Sequence, residues 1–139
     1  MICASTNVSF DDIVASAEPA LRSVCVSLRR KIAALHGDVV EVAWPKLRIV
    51  SFGIGPRKMS EHYAYIAVHA THVNLGFYHG AVLTDRAGLL EGTGKRLRHL
   101  RLRDVPATRK PAIVALLREA IADRKRNARA TKVVHQAHT

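Results

Sequence analysis

A chain of 139 residues has the length of one domain, and 22 Lys and Arg against 11 Asp and Glu give it a formal charge of +11. Such a surface draws in polyanions without specific recognition. At 48% hydrophobic residues the chain is not disordered, and with only 5% aromatics its core is built mostly from Ala, Val, Leu and Ile. A domain of this size buries roughly two thirds of its unfolded surface, so neither a disulfide nor a metal is needed for folding. The two cysteines are Cys3, near the terminus, and Cys25, in an apolar stripe; Cys25 reads as a buried free thiol, which fits a reducing cytoplasm. No apolar run approaches the roughly 20 residues of a membrane span, and no basic-then-apolar leader opens the chain. The expectation is a soluble cytoplasmic protein that does not engage membranes. The cations are mostly Arg, but high-GC coding bias produces the same excess of Arg and Ala, so the enrichment alone does not establish a nucleic-acid role.

Residues 1–10 are small and polar and predict a poorly ordered terminus. Asp11 and Asp12 suit the first turn of a short helix. The principal helix begins near Pro19, with Leu21, Val24, Cys25, Leu28, Ile32 and Leu35 on one face at three- and four-residue steps. Gly37 is its stop signal. Val39 to Trp44, ending at Pro45, reads as irregular or edge structure. Ile49 to Ile54 predicts a strand with Val50, Phe52 and Ile54 on one side, broken by Gly53-Ile54-Gly55-Pro56.

Lys58 to Glu61 reads as a polar connection. His62 to Ala70 alternates, with Ala64, Ile66 and Val68 on one face and Tyr63, Tyr65, Ala67 and His69 on the other. Thr71-His72 then turns into Val73, Leu75 and Phe77, which predicts an antiparallel hairpin. A last strand spans His99 to Arg103, with Leu100 and Leu102 inward. From Pro111, Ile113, Leu116, Leu117, Ala120 and Ile121 mark a second amphipathic helix running into Arg124-Lys125-Arg126, and the tail after Asn127 reads as frayed. The fold class is α+β, a two-layer sandwich: an antiparallel sheet with N- and C-terminal helices packed on one face. It forms a single domain over residues 1–139, with its core at about 20–126 and flexible termini.

The stretch Glu91-Gly92-Thr93-Gly94-Lys95 looks at first like a nucleotide loop. A phosphate-binding P-loop needs four residues between its glycines and a Ser or Thr after the lysine; Gly88 and Gly94 have five residues between them and Arg96 replaces the hydroxyl. The loop reads instead as a turn using Gly92 and Gly94 for positive φ and feeding the next strand. Its N–H groups with Lys95, Arg98 and Arg101 form the candidate anion-binding set: Gly92, Thr93, Gly94, Lys95, Arg98 and Arg101. Arg96, His99 and Arg103 continue the basic strand, Arg109, Lys110 and Arg118 are candidates to extend it, and Tyr63, Tyr65 and Tyr78 are the candidate stacking rings for nucleic acid. A solvated basic face is the commoner meaning of such a run.

The eight histidines, His36, His62, His69, His72, His79, His99, His135 and His138, stand in no recognised metal spacing. A three-residue step on an extended hairpin puts His69 and His72 on opposite faces. No catalytic residue is assigned: Ser51 and Ser60 lack an elbow motif, and Cys25 is a helix-interior hydrophobe. The remaining polar candidates are Glu61, His62 and Glu91, an acid–base set only if one pocket joins them.

The residues Ser60 to Val68, His72 to Gly80 and Gly88 to Leu100 together resemble the YdhG-like family, a bacterial domain family of unknown function, over about Gly37 to Lys125. The resemblance implies a compact fold laid out like frataxin. Some relatives are proposed iron chaperones by analogy with frataxin, whose iron site is acidic. This chain departs from that pattern, because Arg22, Arg29, Arg30 and Lys31 follow Glu18 in its first long helix. The primary expectation is therefore a non-enzymatic binding or accessory domain with a basic anion-binding rim. It needs no cofactor, and its partner is an anionic ligand, a nucleic acid or an acidic protein; a homodimer is left open. The alternative is a frataxin-type metal-handling protein.

Overall fold

The computed structural model describes residues 9–137, with side chains described through Ala128. Cys3, His138 and the side chain of His135 lie outside the described residues, as do residues 1–8 of the loose start expected over residues 1–10; its last two residues, Ser9 and Phe10, instead cap and open a helix. Helix α1 (Phe10–Val14) opens the fold and is stabilised by Asp12, whose carboxylate accepts from the Ser9 backbone N–H at 2.9 Å. Its Phe10, Ile13 and Val14 are buried, so the core begins ten residues earlier than the sequence suggests. Helix α2 (Pro19–Leu35) starts at the predicted proline and buries Leu21, Val24, Cys25, Leu28 and Ile32. Each such side chain taken fully out of water contributes about 1.5–3 kcal/mol.

Five strands follow in a meander: β1 (Val40–Trp44), β2 (Ile49–Gly53), β3 (His62–Val68), β4 (Val73–Phe77) and β5 (Arg98–Leu102). All neighbours are antiparallel and the spatial order is the chain order. Of the irregular or edge structure expected before Pro45, the chain forms the edge strand, and the polar connection expected over Lys58 to Glu61 is a helical turn, α3 (Lys58–Glu61). The β3–β4 connection is His69-Ala70-Thr71-His72, closed by His69 N–H donating to the His72 carbonyl at 3.0 Å. After β5 come a short α4 (Val105–Thr108), capped by Asp104, and the long α5 (Pro111–Ala137). The helix continues through the segment expected to fray.

The helices cover one face of the sheet, where Val50, Phe52, Ala64, Ile66, Val73, Leu75, Phe77, Leu100 and Leu102 meet α1, α2 and α5. Arg124 locks α5 down by donating to the Ser60 carbonyl at 2.9 Å and to Asp123 at 3.3 Å. It is a buried structural residue.

Candidate functional site: the uncovered sheet face and its basic strand

The second face of the sheet carries the polar chemistry. Paired residues across strands share a face, so the register defines two rows. Val42, Ser51, Tyr65, Gly76 and His99 form one; Trp44, Ile49, Ala67, Asn74 and Arg101 form the other. Tyr65 lies across β4 at Gly76, where any Cβ would overlap its ring.

One irregularity rearranges this face. Phe52 pairs with Ala64 but Gly53 pairs with His62, so Tyr63 is an extra residue in β3. The bulge breaks the expected alternation. Tyr63 turns to the helix side, where its hydroxyl meets His36 Nδ1 at 2.9 Å, and it is not a stacking ring for a ligand. His62 turns instead to the open face and is fully buried there. Its Nδ1 is 2.5 Å from Ser51 Oγ, which lies 3.0 Å from the Tyr78 hydroxyl. Burial pushes His62 towards its neutral form, opposed by the Gly55 backbone and Glu61 and reinforced by Lys58. The Gly55 backbone lies near enough to favour the protonated ring, yet His62 Nε2 closes no hydrogen bond of good geometry.

Glu61 and His62 are therefore neighbours in sequence that face different partners. The Glu61 carboxylate accepts from Arg57 N–H at 3.0 Å and packs where a Gly55 side chain would be. Glu91 pairs with His99 beyond β5, two strands away from β3. The three sequence candidates do not form one acid–base pocket. Lys58 reaches over the open face, with Nζ 5.2 Å from the Trp44 ring centre and 6.0 Å from that of Tyr78. Trp44 Nε1 and Asn74 Oδ1 are, with His62 Nε2, buried polar atoms lacking a hydrogen-bond partner among the described residues. All three belong to this face.

The basic half of the face lies along β4 and β5. His69 and His72 stack at 4.7 Å between ring centres, contrary to the alternation expected for them, because both stand in the hairpin connection rather than on a strand. Asn74 Nδ2 donates to His69 Nε2 at 3.3 Å. The His72 pKa is lowered by desolvation first, then by the charges of His69, Arg101, Arg103 and His99. No carboxylate offsets these cations at His72.

The glycine turn divides the predicted anion set. Gly92 has φ +125° and needs glycine, whereas the second positive-φ glycine of this region is Gly88, not Gly94. Arg98 donates Nη1–H to the carbonyls of Gly94 (2.5 Å) and Leu97 (2.6 Å), so its guanidinium folds the turn. Thr93, Lys95, Arg96, Arg101 and Arg103 are exposed. Among the described residues none of Lys95, Arg96, Arg98, Arg101 and Arg103 makes an ion pair, while Arg29 and Arg124 elsewhere do. Arg109, Lys110 and Arg118 belong to the helix layer and do not extend this strand. Ser51, Trp44 and Asn74 carried no motif, and only their strand pairing reveals them. Compared with protein-family models, curated proteins and solved structures, the chain matches none.

Proposed function

We propose that the chain is a non-enzymatic binding domain that engages nucleic acid through the basic half of its uncovered sheet face. The observation that carries this reading is a group of exposed cations without an ion pair among the described residues: Arg101 and Arg103 beside His72, and Lys95 and Arg96 in the turn that leads into β5. Cations spread along a strand and its leading turn suit successive phosphates of a nucleic-acid strand better than they suit one small anion. Partly exposed Tyr65 and Trp44 on the same face supply rings for bases. The helix, five-strand meander and helix order supports the frataxin-like layout that goes with YdhG-like membership. The buried free Cys25 supports a reducing, cytoplasmic setting. The metal-handling alternative has no specific observation in its favour. Among the described residues no group of three or more His, Cys, Asp and Glu is placed to hold an ion.

The test is fluorescence anisotropy of a labelled single-stranded oligonucleotide across a salt series. Each phosphate contact on a single strand contributes about −0.7 to the slope of log K against log salt. A Lys95→Gln/Arg101→Gln/Arg103→Gln triple variant is expected to lower the slope's magnitude by about 2. Arg98 is left intact because it holds the turn. An unchanged slope, or an acidic polypeptide that binds as tightly as the oligonucleotide, overturns the reading.

A further inference from the structure

On the opposite layer, helices α2 and α4 line an open groove of about 580 Å³. Its α2 wall is a stripe at helical spacing: Arg22 and Ser23, Val26 and Ser27, Arg30 and Lys31, then Ala34. From Arg22 to Ala34 that stripe runs about 18 Å at 1.5 Å per residue. Val105 and Arg109 form the other wall. Four cations thus line one groove with no carboxylate among its walls. The sequence explains why: no Asp or Glu occurs between Glu18 and Asp38, nor between Asp104 and Glu119.

The groove is preformed. Thr108 Oγ1 donates to the Val105 carbonyl at 2.6 Å, which spends its only proton. The Ser27 hydroxyl, 2.6 Å from Thr108 Oγ1, must then be the donor in that pair, and it pins α2 to α4. Ser23 donates to the Pro19 carbonyl at 3.1 Å. Both serines therefore keep acceptor lone pairs but no free proton. Arg22 is held by the carbonyls of Val14, Ala15 and Ala17, at 3.3, 3.1 and 3.0 Å, so its charge is fixed at one end. Arg30 and Arg109 are exposed, with no ion pair among the described residues.

We infer that this groove binds a small organic polyphosphate of about mononucleotide size. The volume falls in the range of about 300–1,000 Å³ typical of small-molecule sites. The cations take the phosphates. Val26, Ala34 and Val105 offer apolar contact to a ring or chain, and the serine oxygens accept from hydroxyl or amino groups of the ligand. The site stands on the helix layer, independent of the nucleic-acid surface on the far side of the sheet.

Calorimetric titration with ATP, without divalent metal, tests this, alongside pyrophosphate and adenosine. The expected result is saturable one-to-one binding of ATP, weaker binding of pyrophosphate and none of adenosine. Arg30→Glu/Arg109→Glu should weaken ATP at least tenfold, and so should Ala34→Glu, which sets a carboxylate on the same stripe at an exposed position. The Lys95→Gln/Arg101→Gln/Arg103→Gln protein should bind ATP as the wild type does, and Arg30→Glu/Arg109→Glu should keep its oligonucleotide affinity. Absence of saturable ATP binding overturns the inference. So does affinity that survives both groove variants, or that disappears only in the β5 triple.

Discussion

Ser51 Oγ and His62 Nδ1 meet at 2.5 Å because a single extra residue, Tyr63, reverses the facing of β3 at its first position. Ser51 also donates to the Tyr78 hydroxyl, so one buried serine satisfies a group at the start of β3 and another just past the end of β4. Ser51→Ala leaves both partners buried without it. A buried group stripped of its partner costs about 1–3 kcal/mol. The expected outcome is a urea unfolding curve with unchanged slope and a stability loss in that range, and Ser51→Thr recovering part of it. A loss below about 0.5 kcal/mol would show that water replaces the hydroxyl.

Gly76 and Tyr65 form a second cross-strand dependence. The Tyr65 ring occupies the space of a Gly76 side chain, so Gly76→Ala forces the ring off β4. Overpacking of this kind typically costs about 1–3 kcal/mol. Tyr65→Ala makes room, so Gly76→Ala should be nearly neutral in that background. A double-mutant cycle by chemical denaturation reads the coupling. Additive losses contradict the ring-over-glycine arrangement.

The sequence revealed the elements better than it revealed the site, and particular residues show why. Periodicity identified α2 from Leu21 to Leu35 and the inward Leu100 and Leu102, because each element buries one continuous face. It also placed the α+β sheet and its covering helices. It failed at Tyr63, since a bulge inserts one residue and inverts the alternation behind it without any local sequence mark. It failed again at His69 and His72, whose stacking depends on the hairpin connection being four residues long. Arg98 looked like its basic neighbours, and only the carbonyls of Gly94 and Leu97 distinguish it. The α2–α4 groove needed tertiary packing to bring two acid-free stretches together.

Arg98 gives a prediction that separates folding of the turn from charge. Its guanidinium joins the Gly94 and Leu97 carbonyls, and Gly80 packs against its Cβ. Arg98→Lys keeps the charge but loses the planar fork that reaches two acceptors. Amide exchange at Ala81, Glu91 and His99, whose N–H groups donate to the carbonyls of Arg96, His99 and Glu91 around the turn, should quicken in Arg98→Lys, whereas Lys95→Gln should leave it unchanged. Equal protection in both variants contradicts a turn held by Arg98.

Cys25 is a fully buried thiol whose pKa is pushed up to about 11, chiefly by desolvation. The thiolate is the reactive form, so native Cys25 should resist a disulfide-exchange reagent at pH 8 and react at once in urea. Cys3 is replaced by Ser for this measurement so that one thiol is counted. Rapid native reaction would mean that α2 opens far more readily than its buried stripe implies.

Acid should destabilise the fold from near neutrality. The pKa values of His36, His62, His72 and His79 are all lowered in the folded state, with desolvation the first cause at each. Below the ordinary histidine value of about 6.5 the unfolded chain takes up protons that the folded chain refuses. Stability is therefore fully present above about pH 6.5 and declines as pH falls towards the folded-state values. For the fully buried His62 the loss is at most about 1.4 kcal/mol per pH unit while the mismatch lasts, and solvent screening makes the contribution of the more exposed His72 and His79 smaller. Urea midpoints should be level from pH 8 to 7 and drop by pH 5.5. His62→Gln removes one of these groups, so its midpoint, lower at pH 7.5, should draw closer to the wild type's at pH 5.5. A wild-type midpoint that holds or rises on acidification contradicts a neutral, buried His62, and with it the hydrogen-bonded link to Ser51.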